Sequence, residues 1–231
     1  MHLAVLGPLH ARLSNGTDVP LAGQRVLDLV AVLATRRGRP IDAATLRELL
    51  WGEEAGAIGD SAVHTVIARV RRLLGVDAVT TTPFGYRLAE STTVDADQFA
   101  HEVAAARRMQ EPRNRVDVLE RALAMWRGPA FLGADDHVVA AERVRLHELR
   151  SGSVEALVDG LLLLADAGSA EQARALAGEL IHDEPLRERA YVLAMRADLQ
   201  LGRTADALST FEQLRHVLRT ELGVDPGEEA C

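Results

Sequence analysis

Residues 61–88 constrain the fold more than any other stretch of the chain. SAVHTVIARVRRLLG reads as an amphipathic helix studded with arginine, and after a short gap VTTTPFGYRL reads as a β-hairpin carrying Gly85, Tyr86 and Arg87. On a helical wheel, Val63, Val66, Ile67, Val70, Leu73 and Leu74 share one face and are expected to pack on neighbouring helices. Ser61, Thr65, Ala68 and Arg72 lie opposite, with His64 and Arg71 on one flank and Arg69 on the other. The outward face is small and polar near its N-terminus and cationic further along.

What precedes this segment supplies its partners. Short extended stretches are expected at His2–Leu6 and His10–Leu13, broken by Gly7-Pro8 and Asn15-Gly16. Val26, Leu27, Val30, Leu33 and Ala34 recur at helical spacing until Arg36-Arg37-Gly38. Pro40 and Asp42 announce a second helix with Leu46, Leu49, Leu50 and Trp51 on its apolar side, ended by Gly52. A mobile Gly/Glu/Ala stretch over 52–59 then leads to Asp60-Ser61, either of which can cap the third helix. An isolated hairpin is unstable in water, so Val79–Leu88, with its turn at Pro83 and Gly85, is expected to pair with the N-terminal strands.

Three helices and a hairpin in this order predict a winged helix-turn-helix, whose third helix enters a DNA groove. Small residues allow close approach to base edges, and arginines clamp phosphates or read guanine. The candidate DNA contacts are therefore Ser61, His64, Thr65, Arg69, Arg71 and Arg72 on the helix, with Thr81, Thr82, Tyr86 and Arg87 on the wing.

A net charge of −8 is at odds with DNA binding until it is divided. Residues 1–92 hold 10 Arg against 9 acidic residues, while residues 93–231 hold 16 Arg against 25. The acidity lies in the second part, and phosphate binding needs a local basic face more than a basic total. The low total argues against tight, sequence-independent binding by a lone monomer.

After a hydrophilic join at Thr92–Asp97, helical patterns dominate. Gly168 matches Gly202, Ala173 matches Ala207, and Leu180 matches Leu214, a period of 34 residues. That period, with glycine at the helix turn, a small residue in the second helix and Pro185 near its end, marks tetratricopeptide (TPR) repeats. Phe211 sits where the repeat places an aromatic, whereas its counterpart is Ala177. Small residues let paired helices approach, and each repeat buries its face against a neighbour. Trp126-Arg127-Gly128-Pro129 reads as a helix end with Trp126 a core anchor. Glu184–Arg189 reads as a turn and then a solvated, charged first helical turn.

The order of short strands, helix, LRELLWG, helix ending ARVRRLLG and wing with GYRL resembles the OmpR/PhoB-type winged helix, and more specifically the SARP family, the antibiotic regulatory proteins of actinomycetes. The second part is similar to the bacterial transcriptional activator domain of that family, through VDADQFAHEV, ALAMWRGPAFLG, HDEPLRERAYVLAMRADLQLGR and LRTELGVDPGEE. The resemblance makes helix 61–74 the recognition helix, with Arg69, Arg71 and Arg72 at the family's Arg-x-Arg-Arg positions. Val66 and Ala68 depart from the small polar residues usual on its groove side. The resemblance also implies double-stranded promoter DNA with direct repeats as the target, and binding as a homodimer or by cooperative side-by-side contact. It further implies recruitment of RNA polymerase through its sigma and α subunits, at secondary-metabolite (antibiotic) biosynthesis genes.

The expected fold class is mainly α with small β: a winged helix-turn-helix over residues 1–92, then an all-α, TPR-like helical bundle over residues 93–231. No catalytic site, cofactor site or metal site is expected. A chain without lysine has no Gly-rich phosphate loop followed by one, and His137 with Asp135-Asp136, His147–Glu148 and His182–Asp183 have no recognised zinc spacing. The only cysteine is Cys231, so no disulfide framework is expected. No apolar run spans a bilayer and the start lacks a signal-peptide pattern, so the expected site is cytoplasmic, away from membranes. Two rivals to an activator remain: a repressor dimerised through its second half, and a TPR-type adaptor with a weakened DNA-binding part.

Overall fold

The computed structural model describes residues 1–230 and divides them into two compact units, so Cys231 lies outside the described residues. One unit is Met1–Ala100 with Met125–His147. The other is His101–Ala124 with the chain from Glu148 onward. Compactness therefore does not change hands at the 92/93 join, because two later segments return to the first unit.

The first unit begins with strands β1 (His2–Ala4), β2 (His10–Arg12) and β3 (Asp18–Pro20), joined by β6 (Thr93–Val94) in a sheet of order β3-β2-β1-β6. β1 runs antiparallel to β2, with Leu3 opposite Ala11, and parallel to β6, with Leu3 opposite Val94. The expected strands are each shorter than the sequence suggested, and β3 and β6 were not foreseen. Thr92–Asp97 is thus no mere join: it supplies a parallel strand and then starts helix α4 (Asp95–Ala106). Asp95 is buried, and its carboxylate accepts the N–H groups of Val5 (2.7 Å) and Leu6 (3.2 Å) and meets Arg127 at 3.2 Å.

The segment after residue 125 completes this core. Arg127 and Phe131 donate their N–H groups to Leu6 and Val5, Leu132 donates to Gly7, and Leu9 donates to Leu132. Phe131 is 1% exposed, with a left-handed φ of 55°. Trp126 packs edge-on to Phe99, ring centroids 5.6 Å apart, which agrees with its reading as an anchor.

Helix α1 (Gln24–Thr35) buries Val26 and every residue from Asp28 to Ala34. Asp28 is fully buried, where it accepts from Gln24 (2.8 Å) and from the Asp135 N–H (2.9 Å). Helix α2 (Ala43–Trp51) is capped by Asp42, which accepts from the Thr45 N–H and hydroxyl. Those bonds, the backbone one first, hold the Asp42 carboxyl below its ordinary pKa. Residues Gly52–Ala57 are not a loose stretch but a 3-10 helix. Helix α3 (Asp60–Leu74) starts one residue earlier than expected, with Gly59 rather than Asp60 or Ser61 in the N-cap position. Val63, Ile67, Val70 and Leu74 are buried, while Val66 and Leu73 are half-buried at the edge of that face.

Strands β4 (Val79–Thr82) and β5 (Gly85–Leu88) form the wing, with Thr81 opposite Tyr86 and Thr82 opposite Gly85. The expectation that it pairs with the N-terminal strands is not met. The hairpin is a separate two-stranded sheet, held by an antiparallel bridge between Tyr86 and Ile41, N–H to carbonyl in both directions at 2.9 and 2.8 Å. The turn residues are Pro83-Phe84. Gly85 lies inside β5 at φ 117°, where a Cβ would collide with the Ile41 carbonyl.

The second unit is helical: part of α4, α5 (Pro112–Leu123), the second half of α6 (Asp136–Leu163), α7 (Ala167–Asp183), α8 (Glu188–Gln200) and α9 (Thr204–Glu221). Proline occupies the start of α5, where its missing N–H is not needed. α5 and α6 approach closely at Gly160, where a Cβ would sit 3.0 Å from Val116 Cγ2. The 34-residue matches Ala173/Ala207 and Leu180/Leu214 are all buried. The glycine match is not structural, however. Gly202 takes φ 74° in the turn before α9, but Gly168 is already inside α7, and the left-handed residue there is Ala165. The 184–189 segment is a turn into a helix, yet its charge is not solvated. Arg187 bonds Glu155 (2.6 Å), Glu184 (2.8 Å) and Glu148 (3.2 Å) and is 19% exposed. Burial disfavours its charge, but the three carboxylates outweigh that and raise its pKa above the usual arginine value.

Candidate nucleic-acid interface

Helix α3 and the wing enclose a cleft of about 500 Å³, lined among others by His64, Ala68, Arg71, Arg72, Thr81 and Tyr86. The buried row of α3 fixes its roll angle, so the opposite row must face solvent. Ser61, His64, Thr65, Ala68, Arg69 and Arg72 are all exposed. The Thr65 hydroxyl donates back to the Ser61 carbonyl at 2.9 Å, leaving its lone pairs free to accept. His64 meets the edge of Tyr86, ring centroids 6.3 Å apart, so helix and wing touch at the base of the cleft.

The three arginines of α3 separate into different situations. Arg71 is half-buried: its Nε and Nη2 both donate to the Val79 carbonyl (3.0 and 2.7 Å), and Nη2 also donates to the Thr81 hydroxyl (2.8 Å). It ties the wing to the helix. The Arg69 guanidinium lies against Gly23 at the start of α1, where a Cβ would meet Nη1 at 3.4 Å. Arg72 is exposed and lines the cleft. None of the three has a carboxylate partner among the described residues.

The wing residues divide similarly. Thr82 builds the turn, its hydroxyl donating to the Gly85 carbonyl (3.1 Å) and accepting the Phe84 N–H (3.2 Å). Thr81 is exposed but already accepts from Arg71. Tyr86 is half-buried beside His64, and Arg87 donates to Glu90 at 2.7 Å. The structure thus brings Ser61, His64, Thr65, Arg72, Thr81 and Tyr86 onto one face, and gives Arg71, Thr82 and Arg87 internal partners.

Two cations of the first unit drew no functional notice in the sequence. Arg36 and Arg39 are exposed on the α1–α2 turn, which the Ile41–Tyr86 bridge holds beside the wing. Arg39 lines a second cavity of about 420 Å³ with Arg37, Arg87, Glu90 and Asp97. The run Arg36-Arg37-Gly38-Arg39 was the available signal, and it reads equally well as a helix stop. Among the described residues no three His, Cys, Asp or Glu side chains converge as a metal site, and no helix is long and apolar enough to cross a membrane.

Comparison with known proteins places this geometry. The family described as "Bacterial transcriptional activator domain" matches residues 94–230, and "Transcriptional regulatory protein, C terminal" matches residues 16–88. The chain is 33% identical to Regulatory protein AfsR of Streptomyces coelicolor over 98% of its own length, which spans 23% of AfsR. It is 31% identical to Regulatory protein DnrI of Streptomyces peucetius, spanning 98% of this chain and 88% of DnrI. The structure of Mycobacterium tuberculosis EmbR in complex with a low affinity phosphopeptide superposes with a TM-score of 0.85 at 26% identity, over 99% of this chain and 62% of EmbR. With an OmpR/PhoB-type winged helix joined to a bacterial transcriptional activator domain, the chain belongs to the SARP family of transcriptional regulators.

Proposed function

We propose that this chain is a promoter-binding transcriptional activator that lays α3 in the major groove and its wing along the adjacent backbone or minor groove. The observation that carries this is the outward row of α3: polar at Ser61, His64 and Thr65, cationic at Arg69 and Arg72, neither of which has a carboxylate partner among the described residues. Base readout falls to Ser61, His64 and Thr65, and phosphate contact to Arg72 and Arg69. Ala68 leaves a gap over which an apolar contact with a thymine methyl is the available interaction. Arg36 and Arg39 extend the phosphate track past the wing.

One module with this little positive charge binds weakly at physiological salt. Direct-repeat operators and side-by-side contact between copies supply the missing affinity by raising effective concentration. In the SARP pattern the helical unit then meets RNA polymerase through its sigma and α subunits, at genes for secondary metabolites.

The test is a mobility-shift titration on an operator selected from random duplexes by the protein itself. Arg72→Ala should weaken binding and reduce the slope of log affinity against log salt by about 1. An unchanged slope and affinity removes α3 from the interface. Transcription in vitro from a promoter carrying that operator should rise with added protein, and a fall would make the protein a repressor.

A further inference from the structure

Phe84 is 77% exposed, and no large hydrophobic side chain among the described residues is more so. It stands at the tip of the wing, in a two-residue turn behind Pro83, whose ring fixes its own φ. The turn is braced from within, because the Thr82 hydroxyl bonds both the Phe84 N–H and the Gly85 carbonyl. The hairpin is braced from without as well. Arg71 holds β4 through the Val79 carbonyl and Thr81, and Ile41 holds β5 through Tyr86. A large apolar ring is therefore presented to solvent on a braced arm whose angle to α3 is set by three hydrogen bonds from Arg71 and the Ile41 bridge.

Such an arm suits one task in a DNA-binding protein. Proteins that bend duplexes insert a single apolar side chain between base steps from the minor groove, with polar and cationic groups alongside to hold the backbone. The surroundings of Phe84 are of that kind: Thr80, Thr81 and Thr82 on one strand, and on the other Arg87, which is paired with Glu90 at the far end of the strand. An acidic partner surface is not needed to explain it, and the cleft between wing and α3 continues the proposed groove contact.

Building on the DNA-binding reading above, we propose that Phe84 is a wedge that unstacks a base step in the minor groove flanking the α3 contact, and so selects operators by their deformability. Pyrimidine–purine steps unstack most readily. The site preference of this regulator then includes a flexible TA or CA/TG step at a fixed distance from the bases read by α3, with no hydrogen bond to that step.

The experiment uses the full chain and its in vitro-selected operator, with 2-aminopurine placed in turn at each flanking step and end-to-end fluorescence transfer reporting the bend. Wild-type binding should raise 2-aminopurine emission at one position and shorten the end-to-end distance. Phe84→Ala should abolish both and weaken binding about tenfold on a TA flank, with little change on a G·C-rich flank. Phe84→Leu should retain most of both signals, since the ring is replaced by another apolar wedge. Circular dichroism melting identical to wild type establishes that Phe84→Ala is folded, as expected for an exposed side chain. Unchanged emission on wild-type binding overturns the wedge while leaving DNA binding intact. Loss of cooperativity on paired operators, with emission unaffected by Phe84→Ala, overturns it too and assigns Phe84 to contact with a second copy. Failure of the wild type to select any duplex sinks the wedge and the DNA-binding reading together.

Discussion

The two compact units reach stability by opposite routes. In the first, β1 at the start of the chain pairs with β6 at residues 93–94, Asp95 holds the amides of Val5 and Leu6, and residues 127–132 bond to residues 5–9. In the second, α7 packs on α8 and α8 on α9, with Arg174–Asp198 at 2.8 Å joining α7 to α8 and Arg196–Asp159 at 2.6 Å joining α8 to α6. The arginines differ in the same way. Every one from residue 167 to 230 faces a carboxylate, whereas Arg69, Arg71 and Arg72 on α3 face none among the described residues. A net charge of −8 therefore conceals an uneven distribution: the arginines from 167 onward pair with carboxylates of their own unit, while on α3 Arg71 is tied to the wing and Arg72 stays exposed in the cleft.

Cutting the chain at residue 92 is the harshest way to break this contrast. A fragment of residues 1–92 loses β6, Asp95 and the 127–132 segment at once. It should show no cooperative melting transition by circular dichroism, and a sharp transition would show that the N-terminal part stands alone. Phe131→Ala comes next. Removing a side chain 1% exposed should cost about 3–5 kcal/mol in urea unfolding, unless the segment collapses into the space.

Arg187→Ala applies the same question to the second unit. It removes the cation shared by Glu155 and Glu184, which are 19% and 17% exposed, and should cost about 2–3 kcal/mol near pH 7. Added salt should reduce the penalty by screening the carboxylates left facing one another, and a salt-independent loss would point to packing alone. Arg71→Ala, compared with Arg72→Ala, separates bracing from contact. It should weaken operator binding about three- to tenfold by freeing the wing, yet leave the salt slope where it was.

The smallest effects belong to a device shared by both units. Asp42 caps α2 and Asp166 caps α7, each through a backbone N–H and a hydroxyl three residues on. Both carboxyls are held below their ordinary pKa, Asp42 chiefly by the Thr45 N–H and Asp166 chiefly by the Ser169 hydroxyl. A depressed folded pKa means the stabilisation is complete above about pH 4 and lost as pH falls further. Asp42→Ala and Asp166→Ala should each lower the melting temperature slightly at pH 7, and the difference from wild type should shrink as pH falls below about 4.

Where hydrophobic spacing repeats over several turns or residues, local structure was legible in the sequence. The buried row Val63, Ile67, Val70 and Leu74 follows from helical spacing, and the strands of the wing follow from TTTPFGYRL. Buried Ala173 and Ala207 follow from the 34-residue period. Interactions between distant segments were not legible. Thr93–Val94 looks like a polar join because two residues carry no periodicity, and it becomes a strand only when β1 offers a free edge. Gly85 looks like a turn residue until Ile41 packs against it. At the site, composition picked out all three arginines of α3 but could not distinguish Arg72 from Arg71, whose partner lies eight residues away across a turn.

The sequence by itself determined the helices, the hairpin, the repeat and which side of α3 turns outward, because amphipathic spacing and turn chemistry act over a few residues. Only the tertiary structure decided which cations remain available, what fixes the wing to α3, and that residues 125–147 belong to the first core. Those outcomes depend on hydrogen bonds whose two ends are set by separate elements, and no local pattern records where the other end will be.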